Sequence, residues 1–288
     1  MSCTFSASVC LIVAIAFSAL AAEQDIRLVG IINLPTFKKV VVLQDSKHPQ
    51  GSILGERKRE GEIEVLAISP AELSATLIVH TNRDVKLTME GEKLEPGSAT
   101  PTIILQNVHF RSVLEIYQMF CHRTLLEHPK LSNRLFTFRS SATNEAGAVA
   151  DLQKAFAEKD IVIVPDGEKF VMIAPKSVAS GLEPRSTQEN PNDSNGDQHN
   201  EEMIPPGVVD FRGADMYQVL ELYGMLAGHN LDRSSRLPPH EPNGFFFKNQ
   251  TPLSKKETIY ALKTLVNWHG LNVITQSDGS ITGVLPPK

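Results

Sequence analysis

Apolar positions fall into different patterns along this chain. Residues 11–22 (LIVAIAFSALAA) form one unbroken apolar run. From residue 24 to about 90, short runs rich in β-branched residues recur at 28–32, 39–43, 62–68, 75–79 and 85–89. Gly51, Gly55, Gly61 and Asn82-Arg83-Asp84 separate them. Strands at this spacing predict a small all-β sandwich or barrel. Beyond residue 102 the period lengthens. Phe110, Val113, Leu114, Tyr117 and Phe120 stand at helical spacing and make one apolar stripe. A strand at 102–105 precedes this helix. The run 135–139 alternates as a strand, and Val149, Leu152 and Phe156 mark a second helix. Strands at 161–164 and 170–173 flank Asp166-Gly167, a hairpin signal.

The same succession returns later. A strand at 208–211 precedes a stripe of Met216, Val219, Leu220, Tyr223 and Leu226. Phe245-Phe246-Phe247-Lys248 is a strand. Ser254 with Glu257 three residues on makes a capping box before Ile259, Leu262 and Val266. Strands at 271–275 and 281–285 flank Asp278-Gly279. Val113-Leu114-Glu115-Ile116-Tyr117-Gln118-Met119 and Val219-Leu220-Glu221-Leu222-Tyr223-Gly224-Met225 agree at five of seven positions, and further on Leu125 still meets Leu231. The chain therefore holds a degenerate internal repeat, each copy ordered strand, helix, strand, helix, strand, strand. The expected class is α+β: a small all-β domain over 24–90, then two two-layer α/β sandwiches, repeat A over 102–175 and repeat B over 207–288. The stretch 91–101 is a linker by composition. So is 176–206, whose segment 182–202 has almost no apolar residues and is expected to be disordered.

The chain has 288 residues, enough for about two or three domains. Its net charge of −5 is spread over a mixed surface, which excludes the dense cationic face of a dedicated nucleic-acid binder. The run 11–22 is short for a permanent membrane anchor. Ala19-Leu20-Ala21 has the small-x-small form of a signal-peptide cleavage site, so 1–22 reads as an export signal. No Lys or Arg precedes the run, which leaves an uncleaved N-terminal anchor as the alternative. Cys3 and Cys10 fall in the signal, so Cys121 is the single cysteine of the mature chain and an intramolecular disulfide is excluded.

The nine histidines show no His-x-His or His-Glu-x-x-His spacing, and the chain holds no Gly-rich phosphate loop and no Gly-x-Ser-x-Gly elbow. No catalytic residue, metal ligand or cofactor is expected, and the chain reads as a non-enzyme. His122 and His229 near equivalent helix ends are expected to cap carbonyls. The element order overlaps that of KH domains, but neither repeat has the Gly-x-x-Gly loop those need to clamp RNA.

Order and motifs together resemble the periplasmic N-domains of secretins, the outer-membrane ring proteins of type II secretion and type IV pili. Ile103-Ile104-Leu105-Gln106-Asn107-Val108 and Val209-Asp210-Phe211-Arg212-Gly213-Ala214-Asp215 are similar to the family's first strand and turn. The two Val-Leu-Glu-Ile/Leu-Tyr runs resemble its first helix, and 161–175 and 271–286 its closing hairpin. The first domain resembles the inner-membrane component that docks on secretins, through Leu28-Val29-Gly30-Ile31, Gly51-Ser52-Ile53-Leu54-Gly55 and Ile63-Glu64-Val65-Leu66-Ala67-Ile68. A secretin's large pore domain has no counterpart before Lys288. The resemblance thus implies an accessory to a pore, or a partner of one encoded separately. Expected partners are proteins, a secretin or secretion-system subunit, with a homo-oligomer also open. The expected location is the periplasm, with membrane contact only indirect. The second reading is a periplasmic ligand- or signal-sensing module.

Alignment of Phe136-Thr137-Phe138-Arg139 with Phe245-Phe246-Phe247-Lys248 places Phe246 where repeat A has Thr137. Strand alternation sends Phe245 and Phe247 to the helix-covered face and Phe246 to the other. Thr137 and Phe246 are accordingly the candidate partner-binding positions, unless the loop 237–242 or the linker covers that face. Val113, Leu114, Tyr117, Val219, Leu220 and Tyr223 are the expected repeat core.

Overall fold

The computed structural model describes residues 26–37, 40–44, 51–60, 63–79, 83–89, 102–131, 134–182, 184, 202–232 and 244–284. The signal run, the linker 91–101, nearly all of 182–202 and the loop 237–242 lie outside them. No helix among the described residues is long and apolar enough to cross a membrane.

The class is α+β. The N-terminal strands are β1 (Arg27–Ile32), β2 (Val40–Gln44), β3 (Ser52–Gly55), β4 (Arg59–Glu60), β5 (Ile63–Ser69), β6 (Ser74–Val79) and β7 (Arg83–Thr88). Then come β8 (Ile103–His109), α1 (Phe110–Cys121), β9 (Thr124–Glu127), β10 (Leu135–Ser140), α2 (Glu145–Ala157), β11 (Ile161–Asp166) and β12 (Phe170–Pro175). The last part holds β13 (Met203–Ile204), β14 (Asp210–Ala214), α3 (Met216–Ala227), β15 (Phe245–Lys248), β16 (Leu253–Ser254), α4 (Lys255–Trp268), β17 (Asn272–Thr275) and β18 (Ile281–Val284). Two compact units result: Met1–Tyr117 with Asn133–Leu152, and Gln118–Ser132 with Gln153–Lys288.

In the first unit, an antiparallel sheet β4-β5-β6-β7 and a sheet ordered β10-β8-β1-β2-β3 share one core. Leu28, Ile31, Leu43 and Leu54 of the second sheet meet Val65, Ile68, Ala75 and Leu77 of the first. Burying a Leu, Ile or Val side chain contributes about 1.5–3 kcal/mol. β3 and β4 occur where turn glycines and charges interrupt the strand runs read from the sequence. β3 is a strand because β2 offers it a ladder, Val40↔Gly55 to Leu43↔Ser52. β8 pairs with β10 on one side and β1 on the other, Gly30↔Leu105 to Ile32↔Ile103. Strand pairing therefore runs across the expected linker 91–101, and Ile104 belongs to the sandwich core.

The second unit has a sheet ordered β11-β12-β9, with β12 and β9 parallel, and the two-stranded ladders β13-β16, β14-β15 and β17-β18. Leu126, Phe170 and Met172 share a core with Val219, Leu220, Phe245, Phe247, Leu262, Leu265 and Val266. Part of repeat A thus folds together with repeat B. Both α3 and α4 start with reciprocal capping boxes, Asp215 with Gln218 and Ser254 with Glu257. Each box satisfies two N–H groups that the first turn leaves orphaned.

The repeats agree in pairing as well as in sequence. β8-β10 and β14-β15 are antiparallel and both carry an irregularity, one beside Asn107 and one beside Gly213. Those residues have φ of 51° and 87°. The first helix of each repeat ends in a left-handed residue, His122 (52°) and Gly228 (75°), and the second is followed by Asp160 (56°) and Gly270 (79°). The parallel pairing of Leu125 with Val171 in repeat A returns as the single bridge Leu231↔Ile281. The sequence order omitted β9 because Thr124–Glu127 is only four residues long.

Candidate interaction surface

One buried polar side chain ties the approach to β14 to the rest of repeat B. Asn249 is fully buried. Its carbonyl oxygen accepts from Val209 N at 3.0 Å, and its amide donates to Pro205 O at 2.8 Å and Thr251 O at 3.1 Å. Its own N–H donates to Val209 O, and its backbone carbonyl accepts from Gly207 N. The approach to β14 is thereby locked to the end of β15. At the other end a Cβ on Gly244, which has φ of 57°, would lie 2.6 Å from the backbone of Gly213. Only glycine allows that crossing.

Alternation along this ladder is as expected. Phe245 and Phe247 are buried, and Phe136 and Phe138 likewise, while Thr137 is exposed. Phe246 is half-buried, with its ring tip 3.6 Å from the place where a Gly213 Cβ would stand. Thr137 accepts from Asn107 N at 3.1 Å and donates to Asn107 Oδ1 at 3.3 Å. Both candidate positions therefore serve the irregularity of their own repeat. Val113, Leu114, Tyr117, Val219 and Leu220 are buried. Tyr223 is half-buried, and desolvation pushes its phenol above the ordinary 10.0.

The residues that set β14 apart are Asp210 and Arg212. They share the outward side of the strand and are exposed. Arg212 Nε lies 3.3 Å from Asp210 Oδ1, and Lys248 Nζ lies 3.9 Å from Asp210 Oδ2. Such exposed pairs contribute about 0–1 kcal/mol each. Among the described residues, β15 is the one strand paired with β14. β8 pairs with β1 as well as with β10. The sequences differ in the faces that they bury: Ile103-Ile104-Leu105 is continuously apolar, as in a strand covered on both faces, whereas Val209-Asp210-Phe211-Arg212 alternates. Nearby apolar exposure is concentrated on Val208, 65% exposed, and on α3, where Met225 is 68% exposed.

The titratable groups have structural uses. His229 Nδ1 stands 2.9 Å from Gly279 O, so it meets the β17-β18 hairpin and not a helix carbonyl. His122 forms the left-handed helix exit. The helix-capping contact is made by His269, with Nδ1 2.8 Å from Leu265 O. His128 is buried against Trp268, ring centroids 5.3 Å apart. Burial, then the charges of Lys130 and His269, hold its imidazole below the ordinary 6.5. Burial raises the Cys121 thiol above 9.0, which disfavours the reactive thiolate. The buried Asp166 accepts from Tyr260 Oη at 2.7 Å, and Lys169 pairs with Glu257 at 2.7 Å. Among the described residues, no group of three or more His, Cys, Asp and Glu side chains could hold a metal ion.

Comparison with family models, curated proteins and solved structures finds no match to this chain.

Proposed function

We propose that this protein is an exported, non-enzymatic docking component of a secretion or pilus-type envelope assembly. It acts by protein–protein contact, and the β14 strand is its contact element. The observation that carries this reading is the contrast between sister strands. β8 pairs with β1 as well as with β10, while among the described residues β14 pairs with β15 alone. Strand addition gives affinity through main-chain hydrogen bonds and specificity through the alternate side chains. The resemblance of both repeats to secretin N-domains supports the envelope setting.

A photo-crosslinking residue in place of Val208, 65% exposed beside β14, tests this in cells. The expected result is recovery of the chain in the envelope fraction, with a discrete adduct to an envelope protein or to itself. Recovery in the cytosol, or an envelope chain without any discrete adduct, would overturn the reading.

A further inference from the structure

We propose that His128 is an acid-operated latch: a proton on its ring lifts the turn 128–131 off Trp268 and loosens the exit of β9, in repeat A, from the end of α4, in repeat B. The latch stands apart from β14 and acts whether or not the docking reading holds.

The geometry begins in the backbone. β9 ends at Glu127, and His128 N donates to Ile173 O of β12 at 3.0 Å. Leu131 N donates back to His128 O at 3.0 Å and closes a turn. The turn sets the His128 ring against the indole of Trp268, the last residue of α4, with centroids 5.3 Å apart and planes tilted by 39°. His128 and Leu131 are both buried. Inside the turn, Lys130 N lies 3.2 Å from His128 Nδ1. A backbone N–H can only donate, so Nδ1 is the acceptor and the neutral ring carries its proton on Nε2. The second proton must then go to Nδ1, the atom that already receives the N–H of Lys130. A protonated Nδ1 cannot accept. Charging the ring therefore breaks the hydrogen bond that shapes the turn and sets two N–H groups against each other.

Charge works in the same direction. Lys130, in the same turn, and His269, next after Trp268, both bear on the ring as cations in acid. From β12 the neighbour is the apolar Ile173. The attraction of a cation for an indole face is opposed here by a buried charge, a lost hydrogen bond and two like charges. His269 responds differently. Its Nδ1 stands 2.8 Å from Leu265 O, which can only accept, so that nitrogen keeps its proton in both states. Its ring lies against Phe245, centroids 3.9 Å apart. Charging thus spares the His269 contact and breaks the His128 one. Histidine is the side chain whose ordinary titration falls in the range where such a latch can work.

Trp268 is the chain's one tryptophan, so fluorescence of the full chain reports this place alone. The test is a pH series between 7.5 and 5 without denaturant. The expected result is a reversible rise in acrylamide quenching and a shift of the emission to longer wavelength, with a midpoint below the ordinary 6.5 of an imidazole. Protection of the Leu131 amide from exchange falls over the same range, while far-UV circular dichroism stays constant. His128→Asn offers an acceptor where Nδ1 stands and cannot be charged, so it keeps Trp268 covered throughout. His269→Asn retains the step. A step that persists in His128→Asn, or one lost in His269→Asn, overturns the latch. So does a fall in intensity without a change in acrylamide access, which is quenching by the charged ring alone. A step that coincides with loss of circular dichroism is general unfolding and overturns it too, as does the absence of any step.

Discussion

β8 and β14 open the two repeats, carry an irregularity at the same place and pair with the same kind of partner, yet β8 pairs on both sides while β14 pairs with β15 alone among the described residues. The difference lies in the outward residues. Ile104 is 2% exposed and packs among Leu28, Ile31 and Val65; its counterpart Asp210 is exposed beside Arg212 and Lys248. Charged side chains are a common way to keep an edge strand from indiscriminate pairing. The module's fold thus survives a change in what its first strand does. The positions that hold the module, Phe136 and Phe245, Val113 and Val219, Leu114 and Leu220, are buried in both copies. The positions that choose a neighbour have diverged.

The largest effect should come from giving β8 the residue of β14. Ile104→Asp places an uncompensated charge in the sandwich core and should cost about 4 kcal/mol or more. The reciprocal Asp210→Ile should change folding stability by less than about 0.5 kcal/mol. Thermal unfolding followed by circular dichroism measures both, and equal losses would erase the distinction between the strands.

Asn249 is the next point of attack, because its side chain ties the approach to β14 to the end of β15. Asn249→Ala removes the acceptor for Val209 N and the donor to Pro205 O and Thr251 O. It should cost about 3 kcal/mol, as expected for several buried groups left unpaired. Trp268 is the chain's one tryptophan and lies in α4. Its fluorescence during urea unfolding reports the unit that holds Asn249. An unchanged midpoint would mean that water or a backbone shift replaces the side chain.

The helices sharpen the comparison at Gln118 and Gly224, which occupy equivalent positions. Gln118 Nε2 donates to Lys248 O. A Cβ on Gly224 would stand 2.8 Å from His229 O and 3.1 Å from Ile281 Cδ1. Gly224→Ala should therefore cost about 1–3 kcal/mol, and Gln118→Ala about 1 kcal/mol. The same urea midpoints decide between them, and the reverse order would show that the helix exit relaxes freely.

The smallest effect is in pH. The fold favours the neutral His128 imidazole, so the unfolded chain takes up its proton first. The stabilisation is whole above pH 6.5 and is lost as pH falls through the lower folded value. Urea midpoints between pH 7.5 and 5 should show a decline that His128→Gln flattens. An identical slope in the variant would assign the decline to other groups.

Much of the local architecture was legible. Strand runs, both helix stripes, the Ser254-Glu257 capping box and both Asp-Gly hairpins could be read from spacing and turn chemistry, since each depends on residues near one another in sequence. β3, β4, β9, β13 and β16 could not, because strands of two to four residues form where a neighbouring ladder recruits them. Candidate surface residues were partly legible. The alternation around Phe246 held, but its packing over Gly213 depends on an irregularity whose only trace in sequence is an Asn and a Gly at matching places.

Sequence by itself determined the helix stripes, the Asp-Gly hairpins and the faces of several strands, because periodicity and capping act within a few residues. Tertiary structure decided the neighbours. Ile103-Ile104-Leu105 is a buried strand by its apolar run, but nothing in that run says that β1 would be its neighbour in the sheet. Leu126, Phe170 and Met172 joined the core of repeat B because apolar burial is non-directional and rewards whichever surface the fold brings near.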